Sequence, residues 1–390
     1  MTLDHYATAY PPAILLGGAE NAVAAARALR RQGVDVVAVA EDRAAVHRSN
    51  GVRAERLGPR CDEPALEAWF RDRSPRWAGA ALIPLSDGAL SFVARSYEYL
   101  RARFALNPMD PAIVELLLDK QRTIELAQQV GVPVPRQWLV PDSSDLESIL
   151  DEVTLPALVK PRDTHAFAHR TGRKFLWAHD RAELESSVAT MRETATRFTM
   201  IEFIPGPDSN LCSYYALRQG GQILGEFTKR VERRFPENEG GGTLHQLVVD
   251  DDAKALGRKF FAAVGLEGLG NVEFKRDPRD SRLKLIECNT RLTAATELIE
   301  RSGIELTAAL YRQAIGAPEP FAHEAASRWY WYPFRDLRAA RRLGARATLD
   351  WLSVPARRPC LPFWRADDPG PSLQELANQI RGFSARRRAG

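Results

Sequence analysis

The hydrophobic pattern of the first hundred residues changes period several times. Ala13 to Gly18, AILLGG, is a short apolar run closed by glycines. AENAVAAARALRRQG follows with apolar positions at helical spacing and a glycine stop at Gly33. VDVVAVA is a second apolar run, and AALIPLS is a later one just before Asp87 and Gly88. Apolar runs alternating with helices predict a parallel sheet with crossover helices. In such sheets ligands collect at the carboxyl ends of the strands, where the Gly17-Gly18 turn and Asp87 fall. GGAENA lacks the G-x-G-x-x-G spacing of a dinucleotide site, so a tight strand-to-helix turn is the expectation there.

A different pattern begins at Leu106. Pro108 and Pro111 interrupt the chain, one long helix is predicted to about Val130, and GVPVP ends it. LPALVKPR reads as a buried strand with Lys160 near its end, and TMIEFIPGPD as another that carries Glu202. LCSYYALRQGGQILGEFTKR reads as a hairpin turning at Gly220-Gly221, with RRFPENEGGGT as the loop that follows. The helix DDAKALGRKFFAAVG leads to GNVEFKRDPRDSRLKLIECNTRL, two strands joined by DPRD. From Ala326 the chain is rich in Trp, Arg and Pro and reads as an extension packed on the main body. There is no internal repeat and no low-complexity tract.

Composition narrows the classes. A chain of 390 residues holds two to four domains at about 100–200 residues each. Apolar content of 45% and charged content of 27% are those of an ordinary globular protein. No run of about 18 apolar residues exists, so no membrane partner is expected. MTLDHYATAYPP lacks a basic segment followed by an apolar one, so no secretory signal is expected. Cys61, Cys212, Cys288 and Cys360 lie far apart without metal-ligand pairing and read as reduced thiols of a cytoplasmic protein. The net charge of +4, from 54 basic and 50 acidic residues, is too balanced to call for nucleic acid. The basic tail RGFSARRRAG reads as a solvated end rather than an electrostatic contact.

The candidate chemistry lies in the last hairpin. Side chains alternate across a strand. In NVEFK, Asn271, Glu273 and Lys275 share a face, with Val272 and Phe274 on the other. In LIECNTR, Glu287, Asn289 and Arg291 share a face, with Ile286 and Cys288 opposite. If these strands pair, two carboxylates and an amide converge, a donor set that suits Mg²⁺ with substrate phosphates. A solvated face, or a salt bridge from Arg291 to one of the glutamates, satisfies the same pattern. Lys120 and Lys160 are ordinary solvated lysines if taken singly. Glu202 begins EFIPG, a hinge whose backbone can pair with an adenine edge, and Asp208 can take ribose hydroxyls. Together these groups make an ATP site. No GxxxxGK[ST] sequence is present, which argues against a P-loop kinase.

The order Lys120, Lys160, Glu202, Glu273 and Glu287-x-Asn289-x-Arg291 resembles the ATP-grasp superfamily, and IECNTR is the most specific element. KPRDTHAFAHRTGRK, the pairing of FTKRVERRFP with GGGT, and ADDPGPSLQEL look most like the D-aspartate-ligase-like carboxylate–amine ligases. The resemblance implies an α/β chain, α+β in its catalytic part. A Rossmann-like domain would span 1–108, a small lid subdomain 109–200, a catalytic subdomain with the metal-binding hairpin 201–325, and the extension 326–390. It implies that Lys120, Lys160 and Lys174 bind ATP phosphates, that Glu202, Phe203 and Ile204 line the adenine hinge, and that Asp208 holds ribose. Glu273, Glu287 and Asn289 would ligate Mg²⁺, two ions in this family. Arg291 would stabilise the acyl-phosphate and the tetrahedral species, and Lys229, Arg230 and Arg233 would hold a substrate carboxylate.

The reaction so implied activates a carboxylate as an acyl-phosphate and joins it to an amine, releasing ADP and phosphate. The partners are then a small-molecule acid and amine, and a homodimer is compatible. The phosphate loop departs from the family pattern. It has one glycine, Gly172, with His165 and His169 nearby. A biotin-carboxylase-like carboxylation enzyme is the first rival. It would carry a glutamate four residues after the arginine, where this chain has Ala295 and then Glu297. A nucleotide-binding protein without catalysis is the second, and the complete set of charged residues argues against it. The sequence names neither the acid nor the amine.

Overall fold

The computed structural model describes residues 10–140, 146–161, 167, 170–173, 175–194, 197–238, 240–321 and 328–389, with side chains as far as Arg381. Four parallel strands form the first sheet: β1 (Ala13–Leu16), β2 (Val36–Ala40), β3 (Val52–Arg56) and β4 (Ala81–Pro84), in the order β3-β2-β1-β4. Every residue of β1 is buried, because crossover helices cover both faces of a parallel sheet. The polar β3, VRAER, carries no apolar run to announce it; as an edge strand it keeps most of its side chains in solvent.

The turn after β1 is as tight as its glycines suggest. Gly17 and Gly18 have φ of 69° and 91°, and a Cβ on Gly18 would meet the Leu85 Cβ at 2.8 Å. The Asn21 amide donates to Leu85 O (2.8 Å) and to Leu292 O (2.9 Å), so this turn ties the first sheet to the chain just past the IECNTR strand.

The long helix expected to Val130 is two helices, Pro111–Leu118 and Lys120–Gln129. Asp119 divides them. Its backbone is extended, and its carboxylate accepts from the N–H groups of Gln121 (3.0 Å) and Arg122 (3.2 Å). Lys120 is therefore the first residue of a helix rather than one point on a long helical face.

A second, antiparallel sheet contains β5 (Gln137–Leu139), β6 (Ala157–Pro161), β7 (Leu176–Ala178) and β8 (Phe198–Glu202), in the order β5-β8-β6-β7. The third is six-stranded and antiparallel: β9 (Leu211–Gln219), β10 (Gln222–Phe235), β11 (Gly241–Leu247), β12 (Gly268–Arg276), β13 (Leu283–Asn289) and β14 (Trp329–Trp331), in the order β13-β12-β9-β10-β11-β14. The β9–β10 turn uses Gly220 and Gly221 at φ of 57° and 77°. Most of the expected loop RRFPENEGGGT is strand, because β10 runs to Phe235 and β11 starts at Gly241.

One face of the large sheet packs on the helix Asp251–Ala263 through Cys212, Tyr214, Val272, Phe274, Leu283 and Leu285. The other face carries Glu273, Lys229 and Lys275 beside the apolar Tyr215, Leu217, Phe227 and Leu269. The C-terminal extension does more than cover the body, because β14 pairs with β11. Asp368, in ADDPGPSLQEL, accepts from Arg27 Nε (2.8 Å) and from the Asn50 N–H (2.8 Å), which clamps the extension to the first domain. The backbone of the basic tail continues the helix Gly370–Ala389. All four cysteines are free. No helix among the described residues is long and apolar enough to cross a membrane.

Candidate active site

Two registers build the centre of the site. In the β12–β13 pair Glu273 stands opposite Glu287, and Asn271 opposite Asn289. The next pair is Phe274 with Leu285, so Ile286 is an extra residue, a β-bulge. Without it Leu285 and Glu287 would share a face. With it Leu285 enters the core while Glu287 faces the cleft.

Directly opposed carboxylates have Cβ atoms about 5 Å apart and repel unless a cation lies between them. Lys120 supplies that charge, with its Nζ 3.0 Å from Glu287 Oε1. Burial opposes the Lys120 ammonium, but Glu287, then Glu273 and Asp87, outweigh it and raise the pKa. Lys160, on β6, enters from the second sheet. Burial and the nearby Lys120 charge push its pKa down to about 8, with Glu287 pulling the other way.

Lys229 on β10 is buried on the same face and donates to Ser213 Oγ at 3.0 Å. Burial lowers its pKa, against the pull of Glu273 and Cys212. His245 on β11 is buried nearby, with no hydrogen bond at either ring nitrogen. Burial and the Lys229 charge push it down to about 3, so it is a neutral imidazole.

The metal expectation fits this donor set. Among the described residues no group of three or more His, Cys, Asp or Glu that could hold a metal ion forms. Two opposed glutamates, the Asn289 amide and the buried Asn271 Oδ1, which has no hydrogen-bond partner, are hard oxygen donors suited to Mg²⁺.

Arg291 does not bridge to either glutamate. Its Nε and Nη2 grip Asp87 Oδ1 (2.6 Å) and Oδ2 (3.0 Å) in a two-armed pair at the cleft mouth. Asp87 opens the helix Asp87–Arg95 beyond β4, at the sheet end where a ligand was expected. The partnership with Arg291 was not legible in sequence, because the two residues lie 204 positions apart.

Arg233 does not join the site. Alternation alone puts Lys229 and Arg233 on one face. A bulge at Glu232 breaks that alternation: Val231 pairs with His245, but Arg233 pairs with Leu244. The slip turns Arg233 to the opposite face. There its Nε and Nη2 hold Asp336 at 2.9 and 2.7 Å, and its Nη1 holds Asp350 at 2.6 Å. The Asp336 carboxylate is fully buried and also accepts from Thr243 Oγ1 (2.7 Å) and Trp331 Nε1 (2.9 Å). Arg230 pairs with Glu232 at 2.7 Å.

The hinge is equally specific. Burial works against the Glu202 charge, but the Arg136 N–H (3.0 Å), Arg279 and Lys284 outweigh it and hold its pKa low. The Phe203 N–H is spent on Pro156 O at 3.1 Å. Among the described residues nothing accepts the Ile204 N–H, and Ile204 is buried. Asp208 is buried, with Oδ1 on Arg234 Nε (2.6 Å) and Oδ2 on the Arg234 N–H (3.1 Å). Lys275 lies close by, with its Nζ 4.7 Å from the centre of the Phe203 ring. Burial and Arg234 push its pKa down to about 8. The alternation in NVEFK placed it on the cleft face without giving it a role. Lys174, His165 and His169 lie outside the described residues.

The acid that follows Arg291 points elsewhere. Ala295 is buried, and Glu297 is buried with its Oε2 at 3.7 Å from Arg27, toward the clamp with the C-terminal extension.

No family model matches the chain. In sequence it is similar to the D-aspartate ligase of Enterococcus faecium (strain Aus0004), at 23% identity over 248 residues covering 61% of this chain. The chain spans 58% of the length of that curated relative. In structure it is similar to biotin carboxylase from Campylobacter jejuni in complex with β,γ-ATP, with a TM-score of 0.63 at 16% identity over 82% of this chain and 74% of that one. It is similar to phosphoribosylglycinamide synthetase from Anaerococcus prevotii, with a TM-score of 0.60 at 19% identity over 82% and 80%. It is also similar to L-amino acid ligase from Bacillus licheniformis, with a TM-score of 0.59 at 18% identity over 80% and 76%. The chain thus has the ATP-grasp fold behind a parallel-sheet domain and is similar in sequence to D-aspartate ligase.

Proposed function

We propose that the protein is an ATP-dependent carboxylate–amine ligase. The observation that carries this reading is the opposed Glu273–Glu287 pair, neutralised by Lys120 and met by Lys160 from the second sheet. Similarity to D-aspartate ligase, L-amino acid ligase and phosphoribosylglycinamide synthetase supports it. On this reading 1–108, 109–200, 201–325 and 326–390 are the working units of the chain.

Glu273, Glu287 and Asn289 would hold Mg²⁺, which supplies charge neutralisation for the phosphates. Lys120 and Lys160 hold phosphate oxygens. The Ile204 N–H pairs with the adenine edge. Asp208 takes ribose, since a carboxylate accepts up to about four hydrogen bonds and Arg234 uses two. The oxygen of the acid attacks the γ-phosphorus, ADP leaves, and an acyl-phosphate forms. Lys229, buried one strand beyond Ser213, faces the transferring group. Arg291 is held at the mouth by a carboxylate, so the incoming acid or its tetrahedral adduct presents the acceptor geometry that Asp87 presents now. The amine attacks the acyl carbon and phosphate departs, leaving an amide. The chemistry needs positioning and charge, with no side-chain nucleophile.

The direction of Glu297 weighs against bicarbonate chemistry, because the first acid after Arg291 is turned toward Arg27. The test is ADP release from Mg-ATP across pairs of amino acids, with mass spectrometry of products. ADP formed only when an acid and an amine are both present supports ligation. Dependence on bicarbonate supports carboxylation. No ADP under any pairing, with ATP bound, supports a binding protein.

A further inference from the structure

Around the hinge the acids are already taken. Glu202 is held by Arg279 and Lys284, Asp277 by the same two residues, and Asp208 by Arg234. Among the described residues one cation in this neighbourhood has no salt bridge to an acid. Lys275 is 3% exposed, and its Nζ has no hydrogen-bond partner. It rests over the face of the Phe203 ring. A buried ammonium with no acceptor costs free energy, and buried charges are normally paired. The charged groups that act on it most are Arg234, Asp208, Glu237 and Asp277.

We propose that Lys275 is a nucleoside-recognition residue, whose ammonium, now resting on Phe203, donates to a ribose oxygen of the bound nucleotide. This rests on the nucleotide reading above. Asp208 and Lys275 then make complementary halves of one ribose contact: the carboxylate accepts from a hydroxyl hydrogen, and the ammonium donates to a hydroxyl oxygen. Arg234 fixes Asp208 for this role, and the aromatic face keeps the lysine stem in place while the site is open.

Lys275→Met keeps the apolar stem and removes the donor. Binding of ATP, adenosine and tripolyphosphate to the full chain is measured by calorimetry, with thermal unfolding of the ligand-free protein alongside. Loss of a charged hydrogen bond predicts a drop of about tenfold or more in affinity for both ATP and adenosine. Tripolyphosphate affinity stays unchanged. Ligand-free Lys275→Met unfolds at or above the wild-type temperature, since an unpaired buried charge has gone. Affinity for 2′,3′-dideoxyadenosine is the same in both proteins. Equal adenosine binding by wild type and Lys275→Met overturns the proposal, as does a loss confined to tripolyphosphate. A lowered unfolding temperature with unchanged adenosine affinity makes Lys275 a packing residue. Wild-type protein that binds neither ATP nor adenosine removes the nucleotide reading itself.

Discussion

Arg291 and Arg233 each grip an aspartate with two nitrogens, yet the two pairs do different work. Arg291 holds Asp87 at the cleft mouth, where the aspartate side chain is 59% exposed. Arg233 holds Asp336 where both side chains are almost sealed, at 7% and 0% exposed. The open pair can exchange its partner for another carboxylate or phosphate at little cost, since exposed ion pairs are weak. The sealed pair cannot, because parting would leave a buried charge without compensation. The same side-chain chemistry is thus exchangeable at one place and architectural at the other, and desolvation decides which.

The largest expected effect lies at the open end. Glu287→Gln removes a carboxylate from the opposed pair and should lower ADP release by roughly 10³-fold with the fold intact. Near-normal turnover, with circular dichroism unchanged, would sink the metal assignment. Arg233→Met acts on the sealed end, stranding the Asp336 carboxylate. It should cost about 3–5 kcal/mol in urea unfolding. A kcat defect at unchanged stability would instead return Arg233 to the active site.

Arg291→Met should be the mirror image. A kcat loss of roughly 10²-fold is expected, with stability altered by less than about 1 kcal/mol. If ATP affinity falls as far as kcat, the transition-state role of Arg291 is wrong. Next comes pH. Lys160 must carry its proton to hold phosphate, and its pKa in the free protein is about 8. ATP affinity should be flat below that pH and fall above it, approaching tenfold per pH unit. Lys160→Arg should make the decline shallower, leaving the share that Lys275, also at about 8, contributes, and a wild-type affinity that stays level to pH 9.5 would count against Lys160 as a phosphate ligand (about 1.5 units above its pKa). The smallest effect belongs to Asp87→Asn, which loosens Arg291 without touching the core. Less than about 1 kcal/mol of stability should be lost in thermal melts. A larger loss would mean that the open pair is architectural too.

The sequence carried the facing of the candidate residues where alternation held. The convergence of Glu273, Glu287 and Asn289 was legible because polar residues at every second position of two paired strands fall on one face. Lys120 and Lys160 were legible by their order along the chain, although the helix break that aims Lys120 depends on a cap at Asp119. Arg233 was misplaced because a single extra residue at Glu232 reverses the facing of all that follows, and a bulge leaves no mark in the apolar pattern. The Arg234 hold on Asp208 follows from the same slip, which returns Arg234 to the cleft side.

By itself the sequence determined most of the elements: a parallel α/β front, antiparallel hairpins after it, and a strand bearing an acid, an amide and a base. Local propensity and period are enough for that, because they depend on neighbours a few residues away. Tertiary structure decided which of those charges remain available. Asp87 meets Arg291, Arg27 meets Asp368, and Asp336 meets Arg233 across more than a hundred residues each. Only their burial separates a charge that can be lent to a substrate from one that the fold cannot release.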